Sequence, residues 1–183
     1  MKRISSVYIG TSLDGFIARK DGSIDWLNEA NSSLPEGEDL GFFSFMNSVD
    51  VMVMGRKTFE KVLSFGQWPY GDKPIIVLSR NKVEIPDDLS QAVTCSSESP
   101  RELTGRLIKA GANRLYIDGG ATIQGFIQEG LIKDLTITVI PIIIGDGISL
   151  FGETEKDIKL KHIKTKAYDF GFVQSTYEIE TKV

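Results

Sequence analysis

Val51-Met52-Val53-Met54-Gly55-Arg56-Lys57-Thr58 is the stretch on which the reading of the fold turns. The run through Met54 reads as a buried strand, glycine stops it, and residues 58–65 continue at helical spacing. The same succession returns at Tyr116-Ile117-Asp118-Gly119-Gly120-Ala121-Thr122, with a helical segment over 122–129. A helix start offers free N–H groups and the positive end of its dipole, and glycine lets the backbone come close to an anion. Two such seats suit a pyrophosphate. At the first, Arg56 and Lys57 add charge and Thr58 a hydroxyl; equally, Gly55 turns the chain and both cations are solvated. The second has no third glycine and no acidic residue about 20 positions later, so it is half of a dinucleotide fingerprint.

Outward from these turns, residues 4–9 read as a strand ending near Asp14-Gly15, and residues 74–78 and 115–118 as further strands. Residues 39–48 and 100–110 read as helices. Residues 20–38 are dense in turn formers, which predicts a long loop with one helical turn around Trp26; loops of this length often act as lids. Residues 134–144 and 165–179 read as strands with no helix between them, hence an antiparallel pair. The expected fold class is α/β, a central, mostly parallel sheet between helices with antiparallel strands at its C-terminal edge. With 183 residues, no repeat and no linker, one domain over 1–183 is expected.

Composition removes several functions. The formal charge is −4, from 21 Lys and Arg against 25 Asp and Glu, with no basic cluster for nucleic acid or an anionic membrane. One cysteine, Cys95, and one histidine, His162, make neither a zinc cage nor a Cys-His nucleophilic pair, so no metal is expected. There is no apolar run of about 18 residues and no signal-peptide pattern, so the expected location is the cytoplasm.

Leu78-Ser79-Arg80 ends a strand where ligands of open sheets gather, and Ser79 and Arg80 have the chemistry to hold a 2′-phosphate; a serine beside a surface arginine is the other reading. Taken in order, Met54-Gly55-Arg56-Lys57-Thr58-Phe59-Glu60, Ile76-Val77-Leu78-Ser79-Arg80 and Ile117-Asp118-Gly119-Gly120-Ala121 resemble the dihydrofolate reductase superfamily. Ser12-Leu13-Asp14-Gly15, Gly130-Leu131-Ile132-Lys133-Asp134-Leu135 and Pro141-Ile142-Ile143-Ile144-Gly145-Asp146-Gly147 resemble, within it, the reductase domain of bacterial riboflavin biosynthesis. The zinc deaminase signatures that accompany that domain in bifunctional proteins do not occur in this sequence.

The resemblance implies a three-layer αβα fold and an NADPH-dependent reductase acting on a small heterocyclic acceptor. It implies that Gly55, Arg56, Lys57, Thr58, Gly119, Gly120, Ala121 and Thr122 bracket the pyrophosphate. Leu78, Ser79 and Arg80 then surround the adenosine end, and Ile17, Ala18 and Ile24 lie by the nicotinamide. The acceptor is expected among Tyr8, Gly10, Thr11, Trp26, Phe43 and Thr138. Asp39, 16 residues before Gly55, is the candidate proton relay, or else the cap of the helix after it. Asp14 is the second candidate acid, or else a turn residue. The arginine that grips the folate tail is replaced by Gly71-Asp72-Lys73-Pro74, which disfavours folate. Family habit adds a homodimer through the terminal strands, covering the apolar run at 139–144.

Overall fold

The computed structural model of the chain describes Lys2 and residues 4–180. Its centre is an eight-stranded sheet. Six strands run parallel: β1 (Ser5–Ser12), β3 (Val51–Gly55), β4 (Ile75–Leu78), β5 (Val93–Ser96), β6 (Leu115–Asp118) and β7 (Ile132–Ile140). β9 (Leu160–Ala167) and β10 (Val173–Ile179) close one side antiparallel, giving the order β5-β4-β3-β6-β1-β7-β10-β9. β2 (Phe16–Ala18) and β8 (Ile148–Ser149) pair separately.

Alternation along each strand sends one set of side chains to each face. On one face Val7, Val53 and Ile117 meet Leu103 and Leu107 of α4 (Pro100–Lys109) and Ile123 and Phe126 of α5 (Gly120–Gln128). On the other, Met52, Met54, Ile75 and Val77 meet Phe45 and Met46 of α2 (Phe42–Asn47) and Phe59 of α3 (Arg56–Leu63). These are the three expected layers, with the parallel strands between helices and the antiparallel pair at the edge.

Three elements differ from the sequence reading. The helical turn expected around Trp26 extends to an eight-residue helix, α1 (Asp25–Ser32); Trp26 seals it against Ile140 and Phe172, and the Asp25 carboxylate takes two bonds from Arg19. β5 was invisible because Val93-Thr94-Cys95-Ser96 is a short edge segment with one buried apolar residue. β7 ends at Ile140 and lies between β1 and β10, so the apolar run at 139–144 is no sheet edge. The edge is β9, exposed throughout and carrying Lys161, Lys164 and Lys166, charges that discourage strand addition.

Phe126 is fully buried among α4, α5 and the sheet, whereas Phe65 is 46% exposed. Phe126→Ala is expected to cost about 3–5 kcal/mol in urea unfolding and Phe65→Ala under about 0.5 kcal/mol; equal losses would contradict this placement of the core.

Candidate functional site

The C-terminal ends of β4, β3 and β6 lie side by side, with Leu78 in register with Gly55 and Met54 with Asp118. The strand order reverses around β6, and open α/β sheets bind ligands in the crevice at such a point. Both glycine turns open there and interlock. A methyl group on Gly55 would stand 2.8 Å from Thr122 Oγ1, and one on Gly119 would overlap Thr58 Oγ1. Gly119 also has φ +88°, a conformation only glycine takes without strain. Each turn thus seats the threonine of the other.

The helices behind the turns start uncapped. Neither Gly55 before α3 nor Gly119 before α5 gives a side-chain bond to the helix N–H groups. α4, by contrast, has a full capping box: Ser99 Oγ accepts from Glu102 N, and the Glu102 carboxylate accepts from Ser99 N. Two adjacent helix starts with free donors have the chemistry to receive anions. Arg80, exposed and with no carboxylate partner among the described residues, stands one strand away. Ser79 Oγ is occupied with the backbone of Asn81. Arg56 does not reach into the seat, because its guanidinium bonds Glu60 at 2.7 Å along α3; Lys57 and Ala121 are exposed beside it.

A second wall comes from the β2–β8 pair. Ile17 Cδ1 and Ile148 Cγ2 lie so near Gly120 that a methyl there would be 3.2 and 3.0 Å away, and Ala18 is buried behind them. Ile24 follows as the residue before α1. The turn after β1 is fastened to residues 142–150 by Leu13 N to Ile142 O and Leu150 N to Gly15 O. Asp14 completes the fastening, accepting from Ile144 N and Gly145 N. The Ser12 hydroxyl and those two N–H groups hold its carboxyl below the usual range. Asp14 therefore clasps a loop 130 residues away in sequence, a task beyond that of a turn residue.

The acid at the end of β6, beside the second glycine turn, is one the sequence reading passed over. Asp118 ends β6, its Oδ1 accepting from Gly119 N at 2.8 Å. Burial pushes its carboxyl up to about 6, the Gly119 bond opposing only in part. Its charge lies close enough to Tyr70 and Tyr116 to add to the burial that already raises both phenols. Phe42 packs edge-on to Tyr116 at 6.3 Å, so an aromatic wall stands over this end of the sheet. The signal was an acid closing an otherwise apolar strand at Leu115-Tyr116-Ile117-Asp118, where a carboxylate gains nothing from the core.

The other expected acceptor residues divide. Asp39 caps α2: its two carboxylate oxygens accept from Phe43 N and Gly41 N, bonds that hold it below the usual range, and it is exposed. Such a carboxylate is held in its charged form, which favours the cap of its two readings. Phe43 is 71% exposed on α2, and Phe42 packs on Tyr8 and Tyr116. Tyr8 shares their face of the sheet, stacked on Phe45 at 4.6 Å. Gly10 also faces that way but is covered by Leu27 of α1. Thr11 does not join them, because strand alternation turns it to the opposite face, beside Ile137 and Val139. Trp26 is 2% exposed and belongs to the core, and Thr138 is buried against Gln174.

Among the described residues no His, Cys, Asp and Glu gather to hold a metal, and no helix is long and apolar enough to cross a membrane. Residues 6–173 match the RibD C-terminal domain. The chain is 40% identical to the Bacillus subtilis (strain 168) protein YwjB over 172 residues, covering 92% of this chain and 94% of that one. It superposes on the putative riboflavin biosynthesis protein from Shewanella sp. PV-4 with a TM-score of 0.90, at 41% identity over 97% of this chain and 99% of the other. A deaminase/5-amino-6-(5-phosphoribosylamino)uracil reductase from Thermotoga maritima shares the fold, with a TM-score of 0.73 at 13% identity over 97% of this chain and 57% of the other. From β1 to the start of β10, then, the chain belongs to the RibD C-terminal domain family.

Proposed function

We propose that this protein is an NADPH-dependent reductase of a small heterocyclic acceptor, akin to the ribosylamino-pyrimidine reduced in riboflavin biosynthesis. One observation carries the reading: the two interlocked, uncapped helix starts lie directly beside a half-buried acid, Asp118, whose carboxyl is pushed up to about 6 by desolvation. Family membership supports a nicotinamide-dependent oxidoreductase.

When bound, NADPH supplies the hydride. The N–H groups at the starts of α3 and α5 hold its pyrophosphate, and their dipoles offset the charge. Arg80 beside Leu78 and Ser79 meets a 2′-phosphate, which favours NADPH over NADH. Ile17, Ile148 and Gly120 form an apolar floor for the nicotinamide ring. The acceptor lies between that floor and the aromatic wall of α2. Asp118, in its acid form, would supply the proton that the nitrogen or oxygen of the reduced double bond needs, and would recover one from solvent. An acid titrating near the working pH suits this step. A homodimer is part of the proposal, through the outer face where Ile137, Val139 and Tyr177 flank a shallow pocket with Leu13 and Phe151.

Titration with NADPH is expected to quench or enhance nicotinamide fluorescence and raise Tm. Arg80→Ala should weaken NADPH roughly tenfold and leave NADH within about twofold, as for loss of one charged phosphate contact. Gly119→Ala should abolish both. No binding by the wild type would sink the reductase reading, and binding with no turnover of the ribosylamino-uracil phosphate, dihydrofolate or quinones would leave a nucleotide-binding module.

The pKa of Asp118 adds two pH dependences. Turnover should fall as pH rises through about 6, where the acid form is lost, and Asp118→Asn should remove that limb along with most activity while Asp39→Asn keeps it. The sign for stability is the same. The folded chain keeps this proton to about pH 6 and the unfolded chain releases it near 4, so stability declines as pH rises through that window. Urea unfolding at several pH values should show the Asn variant lacking this decline.

A further inference from the structure

Leu40 is the one non-glycine residue with positive φ (59°) among the described residues, and Gly41 follows it at 86°. A leucine in this conformation carries strain and persists only where its surroundings hold it. Here the hold is explicit. The Leu40 carbonyl accepts from Tyr8 OH and from Gln174 Nε2, the latter at 3.0 Å. The same amide also lies 3.0 Å from Tyr8 Oη and 3.0 Å from Thr138 Oγ1, and Gln174 is 8% exposed. The Leu40 N–H is taken by Glu38, and those of Gly41 and Phe43 by Asp39. The turn at 38–43 is thus bonded from both sides, and Gln174, from β10 of the antiparallel pair, is its most distant anchor in sequence.

What this turn carries is α2, six residues long and too short to hold a helix by itself. At its far end Arg114 bonds Ser48 Oγ at 2.7 Å and lies over the Phe45 ring, and Lys73 Nζ bonds the Met46 and Val49 carbonyls. With that end fastened, the bearing of Phe42 and Phe43 on the crevice is set by the turn before them. Tyr8 links the two, since its ring packs against Phe42 at 5.8 Å while its hydroxyl holds Leu40.

We propose that Gln174 is a positioning residue of the acceptor pocket: through Tyr8 and the Leu40 carbonyl it fixes the strained turn that aims the aromatic face of α2 at the crevice. This rests on reading that crevice as the acceptor site. Gln174 touches neither cofactor seat nor acid, so its effect falls on acceptor binding and leaves NADPH binding alone.

Gln174→Leu keeps size and removes the donor. Hydrogen exchange at the Gly41 and Phe43 amides should quicken at least roughly tenfold, and KM for 5-amino-6-(5-phosphoribosylamino)uracil should rise by about the same factor, with kcat and the NADPH Kd within about twofold. Tyr8→Phe, which removes the other donor, should do likewise and serves if the first variant fails to fold; the two together should fall short of the product of their separate effects, since both act through one carbonyl. Unchanged exchange at residues 41 and 43, or a KM that rises together with the NADPH Kd, overturns the proposal. The exchange measurement decides it without turnover, so a wild type that fails to reduce this substrate counts against the proposed reaction while quickened exchange still upholds the anchor.

Discussion

Two threonines fill the space that two glycines leave. Thr122 sits against Gly55 and Thr58 against Gly119, and this reciprocal fit joins the ends of β3 and β6 at the point where the chain turns into α3 and α5. Neither turn has this shape alone: a side chain at either glycine would displace the opposite threonine, part the helix starts and widen the crevice. The row of strand ends from Leu78 through Gly55 to Asp118 depends on that closeness.

Around this joint the molecule is fastened by polar contacts that reach far along the chain. Asp14 clasps residues 144 and 145, and Gln174 reaches Leu40. Arg114 ties Ser6, Ser48 and Asp134 at the opposite end of the sheet. Each bond joins elements that are distant in sequence, and each holds a loop or a short helix that has little cohesion of its own. Hydrophobic layers set the sheet and its helices; these bonds set how the loops over the crevice lie.

The sequence disclosed the part of this written in local signals. Strand, glycine and helix succeed one another within a few residues at 51–58 and 116–122, so both turns and the register of the parallel strands were readable from periodicity and turn chemistry. Asp39 as a cap was readable too, since aspartate before a helix bonds its first N–H groups. The partners of Asp14 and Gln174 were not, because nothing within reach of a sequence window marks residues more than 100 positions away. Thr11 was misplaced by grouping neighbours on a strand, where alternation sends them to opposite faces. Trp26 was taken for a lid residue because the turn formers around it hid α1. Asp118 was read only as part of a glycine motif; its nearness to the Tyr70 phenol, which raises that phenol further, arises only in three dimensions.

The contrast in helix caps has a consequence for any attempt to redesign this chain. A side-chain cap is worth about 1 kcal/mol, and α4 carries one while α3 and α5 open on bare glycine. A search for thermostable variants would single out positions 55 and 119 as defects and offer serine or aspartate. Either would fill the joint and turn its own oxygen on the donors left free for a ligand. The missing caps are stability forgone in the chain by itself; on the proposed reading a bound phosphate chain would restore it, and melting behaviour without ligand would then understate the fold that operates in its presence.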